Sequence, residues 1–107
     1  MNELNDFEAL RWKVLRWADA REIFKHGTPE GQALKTIEEA NELLAAIRAH
    51  DRDEIIDAIG DVLVTVIIQA EMQDIAPQAC LRKAYEVISK RTGKMKDGVF
   101  VKDEAKS

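Results

Sequence analysis

The chain has 107 residues, of which 46% are hydrophobic and 34% charged, and its formal net charge at pH 7 is −4. These values are typical of one globular domain and exclude a largely disordered chain, while the acidic balance argues against a nucleic-acid polymer as the main partner. The single cysteine excludes an intrachain disulfide, the longest apolar run is too short for a membrane span, and the N-terminus lacks the pattern of a secretory signal. We therefore expect one domain over residues 1–107, located in the cytoplasm, with neither a membrane nor a nucleic-acid polymer as partner.

The first predicted helix runs from Asn5 to Lys25, where apolar residues recur at three- and four-residue steps. Trp12, Leu15 and Ile23 add a second apolar stripe, which is more than one neighbouring helix would require. Trp12 could therefore face a second subunit. We accordingly expect the chain to assemble as a dimer or a tetramer.

The second predicted helix begins at Thr28, which has the pattern of an N-cap followed by Pro29 at the first helical position. It continues to about Ala49. Its buried side is predicted to be formed by Ala33, Leu34, Ile37, Ala40, Leu43, Leu44 and Ile47. Three glutamates fill the remaining sector beside Lys35, and these are Glu38, Glu39 and Glu42.

The third predicted helix covers Asp53 to Ala70 and is the most apolar segment of the chain. Glu54, Asp57 and Asp61 share one arc of it, because they are spaced by three and four residues. A helix that is apolar on its other sides is normally buried in a bundle, so we expect Asp57 and Asp61 to point into protein. Buried carboxylates need a partner, and the segment has no Lys or Arg after its start, which makes a divalent cation the candidate.

Pro77 predicts the start of a fourth helix, and Gly93 is predicted to close that helix as a C-terminal cap. The tail then contains an Asp-Gly turn signal followed by a short β-prone segment. Four helices joined by short connections predict an all-α fold. We expect an antiparallel four-helix bundle with a short extended C-terminal tail.

The acids of the second and third helices form two pairs that can meet in such a bundle. Glu39 and Glu42 lie three residues apart and Asp57 and Asp61 four, so each pair shares a helix face. If the helices pack antiparallel, the carboxylates repel strongly unless a cation binds or some of them are protonated. Oxygen-only ligands without Cys or His favour Mg²⁺ or Mn²⁺ over Zn²⁺. The alternative is that the glutamates form only a solvated face, which does not explain the acids on the third helix.

The run from Glu38 to Leu44, together with the run from Asp57 to Leu63, resembles the signature of the MazG-like nucleoside triphosphate pyrophosphohydrolases, which belong to the all-α NTP pyrophosphatase superfamily. The resemblance covers most of the chain from Trp17 to Lys102. It implies a helical protein that forms dimers or larger oligomers. It also implies hydrolysis of a (deoxy)nucleoside triphosphate to a nucleoside monophosphate and pyrophosphate with Mg²⁺, for which Mn²⁺ is a candidate substitute.

The resemblance also assigns candidate metal ligands. By position, Glu39, Glu42 and Asp61 match the acidic ligands of the family. The family pattern has Glu at the position that is Ala58 here, so the fourth ligand is open between Asp57 and Glu54. Our candidate metal set is Glu39, Glu42, Asp57 and Asp61, and our candidate catalytic set is Glu38, Glu39, Glu42 and Asp61.

Further residues around this set can contact the substrate. Lys83 and Arg91 match basic family positions, and with Lys35 they would offset phosphate charge. Glu38 is a candidate for orienting the attacking water, although a surface acid is the alternative interpretation. Trp17 or Phe24 is a candidate wall of the base pocket, and for Trp12 and Trp17 core packing is the alternative interpretation. The alternative function is a non-catalytic helical interaction module whose acidic site holds a structural metal or none.

Overall fold

The structure is a computed structural model and describes residues 3–104. Within that range it has five helices and two strands, namely α1 (Glu3–Ala20), α2 (Ile23–His26), α3 (Pro29–Arg48), α4 (Arg52–Met72), α5 (Pro77–Ile88), β1 (Gly93–Lys96) and β2 (Val99–Lys102). The all-α prediction is confirmed in its broad form, with a small antiparallel sheet where an extended tail was expected. In residues 3–104 no helix is both long enough and apolar enough to cross a membrane.

The chain divides into two compact units, Met1–Pro77 and Gln78–Ser107. The first unit contains α1 to α4, and the second contains α5 and the hairpin of β1 and β2. The single domain over residues 1–107 and the four-helix bundle stay predictions.

The first predicted helix is interrupted by a turn. α1 ends at Ala20 and α2 begins at Ile23, because Glu22 adopts a left-handed backbone conformation with φ of 63°. The backbone N–H of Glu22 donates instead to the carbonyl of Asp19 at 2.9 Å. The prediction of one continuous helix from Asn5 to Lys25 is therefore wrong.

α3 and α4 each begin at a side-chain cap. Thr28 has an extended backbone, and its hydroxyl accepts a hydrogen bond from the Gly31 N–H at 3.0 Å, with Pro29 at the first position of α3. Asp51 caps α4 in the same way, since its carboxylate accepts from the Glu54 N–H at 3.2 Å. These caps satisfy backbone donors that the first helical turn leaves free, and the cap at Thr28 confirms the predicted start of the second helix.

α3 and α4 pack antiparallel, and two long-range hydrogen bonds fix their register. Gln32 donates from Nε2 to the Thr65 carbonyl at 3.1 Å, and Gln69 donates from Nε2 to the Pro29 carbonyl at 2.9 Å. The buried and half-buried residues of α3 recur at alternating steps of four and three, the spacing of a coiled-coil seam. They are Gln32, Thr36, Glu39, Leu43 and Ala46, and the corresponding positions of α4 are Ala58, Asp61, Thr65, Ile68 and Met72.

The predicted buried side of α3 is wrong except at Leu43, because the seam consists mostly of polar and small residues. Exposed instead are Ala33, Leu34, Ile37, Ala40, Leu44 and Ile47. α4 is not buried on all sides either, since it exposes Ile56, Ile59, Leu63 and Val66. Large apolar side chains of both helices are therefore left exposed in the first unit.

α1 contacts α4 on another side of that helix. Leu15 and Ala18 are buried on α1, and so is Arg11, whose guanidinium pairs with Glu8 at 3.2 Å between Nε and Oε2. The hydrogen bond from Arg11 holds the pKa of Glu8 below its usual range. The same guanidinium lies over the ring of Trp12, 4.7 Å from its centroid. The buried apolar residues of the described chain are Leu15, Ala18, Ala46, Ala58, Ile67, Ile68 and Ala70.

In the second unit, α5 ends at Ile88, so the prediction that Gly93 caps it is wrong. Gly93 begins β1 opposite Lys102, where a Cβ atom would collide with the ring of Phe100 and the backbone of β2. Glycine is required there by a close approach of two strands rather than by a helix end.

The Asp-Gly turn signal is confirmed as the turn of the β1–β2 hairpin. Asp97 and Gly98 have φ of 52° and 83°, and two successive left-handed residues are what a two-residue hairpin turn needs. The predicted β-prone segment after this turn is β2.

Candidate functional site

Three glutamates of α3 form a cluster in which one carboxylate oxygen of each lies within 4.8 Å of the others. These are Glu38, Glu39 and Glu42. Lys35 stands one turn before them, with its Nζ atom 3.4 Å from Glu38 Oε2 and 3.3 Å from Glu39 Oε1. The pKa of Lys35 is raised, mainly by the hydrogen bond to Glu39 and then by that to Glu38.

Glu39 is buried, although the sequence placed it outside the buried side of its helix. It occupies the middle of the α3 seam, and only 8% of its surface is exposed. Its Oε2 atom is buried without a hydrogen-bond partner among the described residues. Such an oxygen loses hydration without compensation, so its position fits a ligand for a cation.

Glu39 acts on the charge of its neighbour Glu42. The pKa of Glu42 is raised, first by a hydrogen bond with Glu39 and then by the negative charge of that residue. Two carboxyl groups at this separation favour a shared proton or a bound cation over two free negative charges. The alternative interpretation, that the three glutamates form only a solvated face, agrees with the exposure of Glu38 and Glu42. It does not explain why Glu39 is buried.

Acids of α4 meet Glu42 in one cavity of about 440 Å³ between α3 and α4. The cavity is lined by Glu42, Ala45, Ala46, Ala49, Asp51, Glu54, Asp57, Ala58 and Asp61. Five of these residues are acidic, none is basic, and the others are alanines whose short side chains leave room between the helices. Of the two predicted acid pairs, Glu42, Asp57 and Asp61 share this lining, whereas Glu39 is not part of it. The meeting of both pairs stays a prediction.

Asp61 is half-buried and its pKa is raised, chiefly by burial and then by the charges of Asp57 and Glu39. Because Asp57 is on α4 and Glu39 is on α3, negative charges on both helices raise the pKa of Asp61. Asp57 lines the cavity but is exposed, which corrects the expectation that it points into protein. A spacing of one helical turn places it beside Asp61 without burying it.

Ala58 occupies the position where the family pattern has an acid, and here it is buried in the cavity lining. Asp51 also lines the cavity, although sequence reasoning assigned it only to the connection. The sequence contained a signal for the N-cap role of Asp51, because Asp51 precedes Glu54 by three residues. This is the spacing between a helix N-cap and the third helical position.

The remaining candidate residues are Trp17 in the first unit and Lys83 and Arg91 in the second. Trp17 is exposed, and its ring lies under the guanidinium of Arg21 at 4.7 Å. Lys83 is exposed on α5 in the second unit. Arg91 follows α5 and lines a cavity of about 490 Å³ within that unit, together with Lys90 and Lys102. The substrate roles of Trp17, Lys83 and Arg91 stay predictions.

Comparison with known proteins identifies the family of the chain. The family of the MazG nucleotide pyrophosphohydrolase domain matches residues 27–97, which include α3, α4 and every acid of the cavity. The chain is 33% identical over 70 residues to the "uncharacterized 18.2 kDa protein in rep-hol intergenic region" of Haemophilus phage HP1. That alignment covers 65% of this chain and 43% of the phage protein, so the chain spans less than half of that relative. No solved structure matches the chain. By the match over residues 27–97, the chain belongs to the MazG nucleotide pyrophosphohydrolase family.

Proposed function

We propose that the protein hydrolyses a (deoxy)nucleoside triphosphate to a nucleoside monophosphate and pyrophosphate, with Mg²⁺ bound between α3 and α4 and Mn²⁺ as a substitute. The observation that carries this proposal is the convergence of carboxylates from two helices on one cavity. The buried, unpartnered oxygen of Glu39 supports a cation ligand in the cluster that Glu39 forms with Glu42, a residue of the cavity lining. Family membership supports the reaction class.

The ligands in this proposal are Glu39, Glu42, Asp57 and Asp61, with Glu54 as the reserve. Oxygen donors of this kind suit a small, hard divalent cation. When bound, Mg²⁺ supplies charge neutralisation for the phosphate oxygens and lowers the pKa of a coordinated water.

The side chains beside the acids have separate roles. Glu38 is the exposed member of the cluster beside Glu39, so its carboxylate can accept a hydrogen bond from the attacking water. Lys35 already lies against the cluster and can donate to a phosphate oxygen. We assign Lys83 and Arg91 to the neutralisation of the remaining phosphate charge and Trp17 to the base. The cytoplasm is the proposed location.

A screen of canonical and damaged ribonucleoside and deoxyribonucleoside triphosphates tests this function. We expect at least one of them to release pyrophosphate with Mg²⁺ and none to do so in EDTA. Absence of release from every canonical and damaged nucleotide would favour the alternative function, a non-catalytic helical interaction module with a structural or vacant acidic site.

The product distribution gives a separate prediction. Phosphorus NMR of the reaction mixture should contain signals of a nucleoside monophosphate and pyrophosphate, because the family acts between the α and β phosphates. A nucleoside diphosphate with orthophosphate would contradict the assignment. A commercial pyrophosphatase added afterwards should convert the pyrophosphate signal to orthophosphate, which confirms its identity.

We also predict self-association to a dimer or a tetramer. The apolar faces of α3 and α4 are exposed, and patches of this kind usually mark an interface. A second copy placed on them would complete an antiparallel four-helix bundle from two α3–α4 pairs. Sedimentation at tens of micromolar should therefore detect an oligomer, and Ile59→Glu should shift it toward the monomer while Glu30→Lys should not. A monomeric wild type would contradict the prediction.

A further inference from the structure

A second cavity of the first unit lies at the corner of α1, α2 and the last turn of α4. It has a volume of about 410 Å³ and is lined by Trp12, Leu15, Arg16, Asp19, Phe24 and Glu71. This volume is within the range of pockets that hold small molecules. None of these residues lines the acidic cavity, and Asp61 and Glu71 are about 15 Å apart along α4 at 1.5 Å per residue. The two cavities are therefore separate.

The apolar part of this corner cavity presents aromatic surface. Leu15 is buried and Phe24 is half-buried, while Trp12 remains 54% exposed. The guanidinium of Arg11 covers Trp12 at 4.7 Å and is itself tied to Glu8, so the indole is held in place. A held indole beside a second aromatic ring is a surface on which a planar ligand stacks.

The polar part consists of one guanidinium and two carboxylates, those of Arg16, Asp19 and Glu71. Within residues 3–104, the side chains of Arg16 and Asp19 form neither an ion pair nor a hydrogen bond. Their donors and acceptors are free for a ligand. The net charge of the three groups is negative, which disfavours phosphate and favours an uncharged ligand rich in N–H donors.

We propose that the corner cavity binds a purine base or nucleoside with the donor pattern of guanine. The carboxylate of Asp19 can accept from two adjacent N–H groups of guanine, and the guanidinium of Arg16 can donate to its O6 and N7 atoms. The second carboxylate, that of Glu71, suits the remaining amino hydrogen, whereas uracil offers a single N–H. The proposal goes beyond triphosphate hydrolysis, because it assigns a second ligand site outside the acidic cavity.

The test follows the two tryptophan indoles by NMR while guanosine is added to the full chain in EDTA. The indole signal of Trp12 should shift with saturation, whereas that of Trp17, which does not line the cavity, serves as an internal reference. Asp19→Asn should weaken guanosine binding by at least about tenfold, because one carboxylate partner is lost. Inosine, which lacks the 2-amino group, should bind more weakly than guanosine, and uridine should not saturate.

Matched variants separate this inference from the proposed enzyme activity. Asp6→Asn changes an exposed acid of α1 outside the cavity and should leave guanosine binding unchanged. Glu39→Gln should also retain guanosine binding, because Glu39 does not line the corner cavity. Guanosine binding is therefore tested independently of triphosphate hydrolysis. If Asp19→Asn does not fold by circular dichroism, Arg16→Gln provides the same comparison. The proposal is overturned if millimolar guanosine gives no saturable shift of the Trp12 signal, or if Asp19→Asn binds guanosine as tightly as the wild type does. It is also overturned if uridine binds as tightly as guanosine, or if Glu39→Gln loses guanosine binding.

Discussion

Asp61→Asn is expected to lower triphosphate turnover by at least about 100-fold while leaving the metal-free protein as stable as the wild type or more stable. An amide oxygen is a poorer ligand for Mg²⁺ than a carboxylate, so the variant loses metal affinity. The wild-type carboxylate is disfavoured without metal, because burial and the charges of Asp57 and Glu39 raise its pKa. Removing its charge should thus stabilise the metal-free fold, by up to about 1 kcal/mol after solvent screening.

The pH dependence of this stability difference has a defined sign. The pKa of Asp61 is raised in the fold above its ordinary value of 3.8, so the protonated form stabilises the wild type below that value. This stabilisation is lost as the pH rises through the raised pKa. The advantage of Asp61→Asn in EDTA should therefore be largest near neutral pH and disappear in acid.

Thermal melts of both proteins with EDTA and with Mg²⁺ check this prediction. Mg²⁺ should raise the melting temperature of the wild type more than that of Asp61→Asn, because a ligand that binds the native state stabilises it. Asp53→Asn is the matched control, since Asp53 is an exposed acid of α4 outside the cavity lining. A variant that loses about 1–3 kcal/mol in EDTA would instead indicate a carboxylate satisfied by hydrogen bonds.

Glu39→Gln is expected to have a similarly large effect on turnover, again at least about 100-fold. The substitution keeps the length of the side chain but replaces the buried, unpartnered Oε2 by a group with less affinity for a cation. It also removes the charge that raises the pKa of Glu42. NMR titration of the Glu42 carboxyl should therefore give a lower pKa in the variant than in the wild type.

Glu30→Gln provides the comparison for this second variant, because Glu30 is an exposed acid in the first turn of α3. It should change neither the turnover nor the pKa of Glu42. If Glu39→Gln retains its turnover and the pKa of Glu42 is unchanged, Glu39 acts neither on the metal nor on Glu42.

Helix starts and the hairpin turn were predictable from the sequence because their causes are local. Thr28 and Pro29 define the start of α3 through a cap and a fixed backbone angle, and Asp97 with Gly98 defines a tight turn. The break at Glu22 was not predictable in this way, since apolar periodicity continues through it and glutamate has no preference for a left-handed conformation.

Burial could not be predicted as well, because it depends on which neighbour each face has. The apolar pattern of α3 indicated a buried side containing Leu34 and Ile37, but those residues are exposed and the α3–α4 seam contains Glu39. The candidate acids were found from their spacing, which depends only on helix geometry. Asp51 and the alanine lining were missed, since they join the cavity only through the register of the two helices.

The most direct test of the metal site is a calorimetric double-mutant cycle for Mg²⁺ binding in the absence of nucleotide. It combines Glu42→Gln on α3 with Asp61→Asn on α4, two residues that line the same cavity. If both carboxylates bind one ion, each single variant should weaken Mg²⁺ binding, and the double variant should lose less affinity than the sum of the two single losses. Wild-type affinity in either single variant, or strictly additive losses, would contradict a shared metal site between α3 and α4.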